Sequence, residues 1–154
     1  MNAATEATVV VRELTIDAAP ETVWEFLVDP EKATRWMGMS ATLDARPGGV
    51  YRVEIIPGNT AVGEFIEVDA PHRLVQTWGW DPSGGGEIAP GSTRIEYELI
   101  ANGDSTILRF RHELPTPGAA ESHAHGWDHY FERLAVAAAG GDTGVDSWIE
   151  RPMS

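Results

Sequence analysis

Residues 123–139 read HAHGWDHYFERLAVAAA. At 100° per residue, Trp127, Phe131, Leu134 and Ala138 fall on one stripe, with Tyr130 and His123 at its edge. His125, Asp128, His129 and Glu132 take the far side. The pattern predicts one long amphipathic helix that begins near Gly118 and stops at Gly140-Gly141. An aromatic stripe of this kind is stable only when it lies on something apolar, so the remaining chain must provide that surface.

What precedes the helix is mostly strand. Residues 8–16 alternate, with Val10, Leu14 and Ile16 on one face and Arg12 in phase with them. Ala19-Pro20-Glu21 opens a short helix, with proline at its first position and a carboxylate at the positive dipole end. Asp29-Pro30 stops that helix and caps a second one running to Trp36. From Ala41 the chain reads as an antiparallel meander. Its turns fall at 47–49, 57–59, 69–71 and at Asn102-Gly103, a strong hairpin signal. The order strand, two short helices, six strands, long helix predicts an α+β domain in which a curved seven-stranded antiparallel sheet grips a long C-terminal helix. Residues 1–7 are expected to be a disordered leader, 8–139 one domain, and 140–154 a tail in which Trp148 and Ile149 could dock.

This arrangement carries a geometric mismatch. Seven strands at about 4.8 Å spacing span roughly 30 Å, whereas a helix is only about 10–12 Å across. The sheet must curl around the rod, and the gap widens away from the line of contact. Large side chains fill that gap or line a pocket in it, and aromatic residues suit both roles.

Composition narrows the partners. Eleven basic against 24 acidic residues leave a net charge of −13, which repels nucleic acid and anionic membranes. The absence of cysteine removes disulfides, thiol catalysis and thiolate metal sites. No signal peptide and no apolar run near the roughly 18 residues of a membrane span is visible, so the protein is expected to be soluble and cytoplasmic.

His125 and His129 have the four-residue spacing of a metal edge, but they sit on the outer face and the H-E-x-x-H pattern is absent. They are read as a solvated polar face, and no metal or bound cofactor is expected. His112, His123 and Arg12 differ, because each is in phase with apolar neighbours. Either they satisfy one another and nearby carbonyls, or they orient the polar end of a ligand. Gln76 is a weaker member of this set. The glycine-rich loop 81–91 after Trp80 is either a lid or an ordinary connection. With no G-x-S-x-G and no carboxylate pair in phase with the apolar faces, no catalytic residue is assigned.

Several segments together resemble the SRPBCC superfamily of START-like or Bet v 1-like helix-grip domains, and within it the branch named for activators of the Hsp-90 chaperone ATPase. They are IDAAPETVWEFLVDPEKATRW (16–36), PGGVYRVEI (47–55), GEFIEVDAPHRLVQTWGW (63–80), TRIEYELI (93–100), STILRFRHEL (105–114) and HGWDHYFERL (125–134). The resemblance implies that the first strand lies beside the last, and that a deep pocket for hydrophobic small molecules exists. Two departures are Ala19, where a capping serine is frequent, and the tail beyond Ala139.

The expected function is binding of a hydrophobic small molecule between the sheet and the long helix. Trp36, Tyr51, Val53, Trp78, Trp80, Tyr97, Phe110 and Trp127 are the expected enclosing residues, with His112, His123 and Arg12 as polar contacts. Two alternatives stay open. One is a co-chaperone-like module acting on a chaperone ATPase. The other is a cyclase- or hydratase-like enzyme using His112 or His123 as acid or base. The chain is expected to be a monomer or a homodimer.

Overall fold

The computed structural model describes residues 8–84 and 88–151. The expected leader, the centre of the glycine-rich loop and the last three residues lie outside them. Strand β1 (Val9–Ile16) is followed by helices α1 (Pro20–Val28) and α2 (Pro30–Ala33). Then come β2 (Ser40–Leu43), β3 (Val50–Ile56), β4 (Asn59–Asp69), β5 (Arg73–Trp78), β6 (Thr93–Asn102) and β7 (Ser105–Glu113). The long helix α3 (Pro117–Ala138) closes the domain. All pairs are antiparallel in the order β1-β7-β6-β5-β4-β3-β2, so the first strand does lie beside the last. This is the α+β helix-grip arrangement expected from the sequence.

Local chemistry sets the boundaries. Both short helices begin with proline; Asp29 accepts from the Glu31 N–H at 3.2 Å, while Ala19 gives α1 no side-chain cap. Thr116 caps α3 by accepting from the Ala119 N–H at 3.1 Å. Register shifts interrupt β3 between Glu54 and Ile56 and β4 between Phe65 and Glu67; bulges of this kind bend a strand and sharpen its twist. Gly79, just past β5, admits the returning loop, because a Cβ there would meet the Ala89 carbonyl oxygen at 1.7 Å.

Over the β6–β7 side the trough is filled. Phe110 packs on Trp127 at 4.6 Å and on Phe131 at 4.8 Å between ring centroids, and Tyr97 backs Phe110 at 5.2 Å. Trp36 lies nearly parallel to Phe131 and donates its indole N–H to the Phe26 carbonyl at 2.7 Å.

Past α3 the chain folds back instead of trailing away. Arg133 fixes this return: its guanidinium donates to the carbonyls of Trp36, Arg35, Thr143 and Gly144 at 3.0–3.4 Å. Thr143 adds a hydroxyl bond to the Arg35 carbonyl at 2.7 Å. The α2 exit, α3 and the C-terminal segment are thereby tied at one point.

Candidate functional site

Where the packing gives out, a cavity of about 400 Å³ remains between the N-terminal half of α3 and the ends of β3 and β5. Ile55, Ile56 and Asn59 form the β3–β4 side, and Trp78, Trp80 and Ile88 the β5 side. Met37 and Trp148 close it from beyond the sheet. The helix wall is made by Gly118, Ala119, Ser122, His123, Gly126, Trp127 and Tyr130.

That wall is unusual in its small residues. Gly118, Ser122 and Gly126 recur every four residues, forming a ridge of nearly bare backbone. A Cβ built at Gly126 would meet no atom within 4 Å. A mid-helix glycine costs about 1 kcal/mol relative to alanine. No neighbouring atom requires Gly126, so its structural effect is to leave space.

The two inward histidines are locked by their partners. The Trp127 indole can only donate, so His112 Nδ1 accepts from it at 3.1 Å. The ring proton is therefore on Nε2, which faces Thr93 Oγ1 at 2.8 Å; that hydroxyl donates on to the Trp78 carbonyl at 2.7 Å. His123 has the opposite tautomer: Nδ1 donates to the Ala119 carbonyl at 2.9 Å and Nε2 accepts from the Trp80 indole at 3.1 Å. Burial, helped by the neighbouring His123, pulls the His112 pKa down to about 3. Burial also lowers that of His123, partly offset by its bond to Ala119. Both rings are neutral near pH 7, with every nitrogen already engaged.

The C-terminal segment contributes Trp148 to the cavity wall and fixes it in place. Residues 147–149 form one short turn, and Asp146 accepts from the Trp148 N–H at 3.0 Å. His129 Nε2 meets the same Asp146 oxygen at 2.8 Å, and the His129 ring stacks on Trp148 at 3.8 Å with a 4° interplanar angle. Burial pushes the Asp146 carboxyl up, but hydrogen bonds from the Trp148 N–H and from His129 outweigh this and hold its pKa below the usual range. Burial and the Asp146 charge together raise the Tyr130 phenol.

The expected site residues therefore divide. Trp78, Trp80, His123 and Trp127 line the cavity. Tyr97, Phe110 and His112 lie beneath it as packed core, and Trp36, Tyr51 and Val53 belong to the same core cluster. Gln76 is buried against Tyr51, whose hydroxyl burial pushes upward and Gln76 draws back. Arg12 is a correction. It lies opposite Phe110 on the strand that carries His112, and it grips Asp128 through two contacts of 2.6 and 3.2 Å. Val10 and Ile16 of the same strand enter the core, whereas the longer Arg12 side chain reaches out to Asp128 on the flank of α3. His129 is a second correction, since the outer face on which it sits is covered by Trp148. The histidines, read as contacts for a ligand, have their nitrogens committed to the protein.

Residues that sequence reasoning missed include Met37, Ile55, Ser122, Gly126, Tyr130 and Trp148. The 118/122/126 spacing was visible on the same helical wheel as the aromatic stripe. Nothing local announces Trp148, because its place depends on the fold-back. Among the described residues no group of three or more metal-type ligands occurs. No helix there is long and apolar enough to cross a membrane.

Comparisons with known proteins agree with this architecture. The family model described as activator of Hsp90 ATPase homolog 1-like protein matches residues 17–139. The AHSA1-like protein RHE_CH02687 of Rhizobium etli is 42% identical, covering 91% of this chain and 87% of that one, with a TM-score of 0.72. CalU16 of Micromonospora echinospora is 23% identical over 86% of this chain and 76% of its own, with a TM-score of 0.70. PFC0360w, described as an HSP90 activator from Plasmodium falciparum, is 21% identical over 84% and 95%, also at 0.70. A comparison with curated proteins finds no match. The helix-grip topology, the match over residues 17–139 and the identity to the Rhizobium protein agree: the chain belongs to the activator of Hsp90 ATPase homolog 1-like family.

Proposed function

We propose that this protein binds a hydrophobic small molecule in the cavity between the curved sheet and α3. The observation that carries this reading is the helix wall at Gly126, where open space is kept at the expense of helix stability. A volume of about 400 Å³ falls in the range that holds small organic ligands. Burying about 300 Å² of apolar ligand surface would contribute roughly 7 kcal/mol before the costs of association, which corresponds to micromolar affinity at best. The proposal includes a cytoplasmic location and a monomeric or homodimeric state, and it needs no cofactor. Native mass spectrometry of the purified protein should show a retained small molecule. A panel of hydrophobic compounds should quench tryptophan emission and raise the melting temperature. A panel that does neither counts decisively against it.

The family name, and the description of the Plasmodium protein as an HSP90 activator, support a second reading as a module acting on a chaperone ATPase. A change in chaperone ATP turnover on adding the purified protein, absent with a cavity-filled variant, would join the two readings. A cyclase- or hydratase-like reaction is the weakest reading, because an acid or base at His112 or His123 must first give up a bond to Trp127, Thr93, Trp80 or Ala119.

A further inference from the structure

We propose that the cavity takes uncharged ring systems and turns away anionic ones, even of the same shape. This rests on the small-molecule reading above and narrows it to a chemical class. None of the described residues lining the cavity is Lys, Arg, Asp or Glu. His123, the one titratable nitrogen base among the described lining residues, has its nitrogens bonded to Trp80 and Ala119, and His112 behind it is bonded to Trp127 and Thr93.

Three arginines of the surrounding elements already have partners. Arg12 is held by Asp128, Arg52 by Asp81 at 3.1 Å, and Arg133 by four carbonyls. A carboxylate taken inside would lose its hydration with no counter-charge, and the protein's net charge of −13 adds to the penalty. Neutral polar groups are treated differently. Ser122 and Asn59 offer a hydroxyl and an amide on the wall. The Trp78 and Trp80 rings add apolar aromatic surface to the same wall. The bare Gly118, Ser122 and Gly126 positions and the Trp78 and Trp80 rings line the same cavity, leaving open space beside aromatic surface on which a ring can stack.

The test uses two probes of one shape at pH 7.5: 2-acetylnaphthalene, uncharged, and 2-naphthoate, its carboxylate counterpart. Each is titrated against the full chain by tryptophan emission and melting temperature, with Gly126→Leu as the filled-cavity control. The ketone should bind the wild type at least about tenfold more tightly than the carboxylate. Gly126→Leu should abolish ketone binding while keeping the helical circular dichroism. Should leucine disturb the fold, Gly126→Ala, which adds a single methyl, should weaken ketone binding in the same direction. Equal or tighter binding of naphthoate, lost in Gly126→Leu, overturns the charge selection and leaves the cavity reading standing. Ketone binding that survives in a folded Gly126→Leu places the ligand elsewhere and overturns both. So does a wild type that binds neither probe.

Discussion

His112 sits under the cavity with its imidazole fully buried and one defined tautomer, Nε2–H toward Thr93 and Nδ1 toward Trp127. Its pKa in the fold, about 3, lies below the unfolded value of 6.5. The unfolded chain therefore binds a proton that the native chain refuses. The stabilisation is full above pH 6.5 and is lost as pH falls from there toward 3, at about 1.4 kcal/mol per pH unit for one proton. His123, lowered in the same direction, steepens the loss. Chemical denaturation between pH 7.5 and 4.5 should show this slope, and His112→Phe should flatten it. The same variant should lower stability at pH 7.5 by about 1–3 kcal/mol, since Trp127 Nε1 and Thr93 lose their partner in the core. By contrast, Arg12→Ala should cost no more than about 1 kcal/mol, because its pair with Asp128 is largely solvated.

At the scale of elements, α3 and its fold-back decide how open the cavity is. Gly126→Ala should raise thermal stability, by up to about 1 kcal/mol in helix propensity, because nothing lies in the way of the new methyl. A drop in melting temperature instead would mean that the site is tighter than its geometry indicates. Trp148→Ala should leave the seven-stranded sheet intact and unstack His129, which proton NMR of the His129 ring would register as loss of the indole ring-current shift. The elements themselves were legible in the sequence because their signals are local: the Asn102-Gly103 turn, the proline helix starts, and the alternation of Thr93, Ile95, Tyr97 and Leu99. Trp78, Trp80, His123 and Trp127 were readable as cavity lining for the same reason. Arg12 misled because phase along a strand says which face a residue takes, but not that a long side chain on it reaches past the core to a partner such as Asp128. Trp148 was legible only as a residue able to dock, and Asp146 not at all, because their partners on α3 are chosen by a chain reversal that no short motif encodes.

For the molecule as a whole, the mismatch between a slender helix and a broad sheet is resolved unevenly. Aromatic rings fill the trough over β6 and β7, and small helix residues leave it hollow near β3 and β5. A ligand confined to the hollow should stabilise the entire domain, by about 2.7 kcal/mol at one hundred times its dissociation constant. A calorimetric scan should then show a single transition moved upward, not a new one.

The Arg133 junction has one more consequence. A guanidinium whose hydrogen-bond partners are all amide oxygens forms no ion pair there for dissolved salt to weaken, and those oxygens have no proton to gain in mild acid. The chain reversal after α3 should therefore hold across wide swings in ionic strength, and yield to urea or warmth, which compete for the backbone itself. Amide exchange at Thr143 and Gly144, followed in 20 mM and 1 M sodium chloride, should be the same in both.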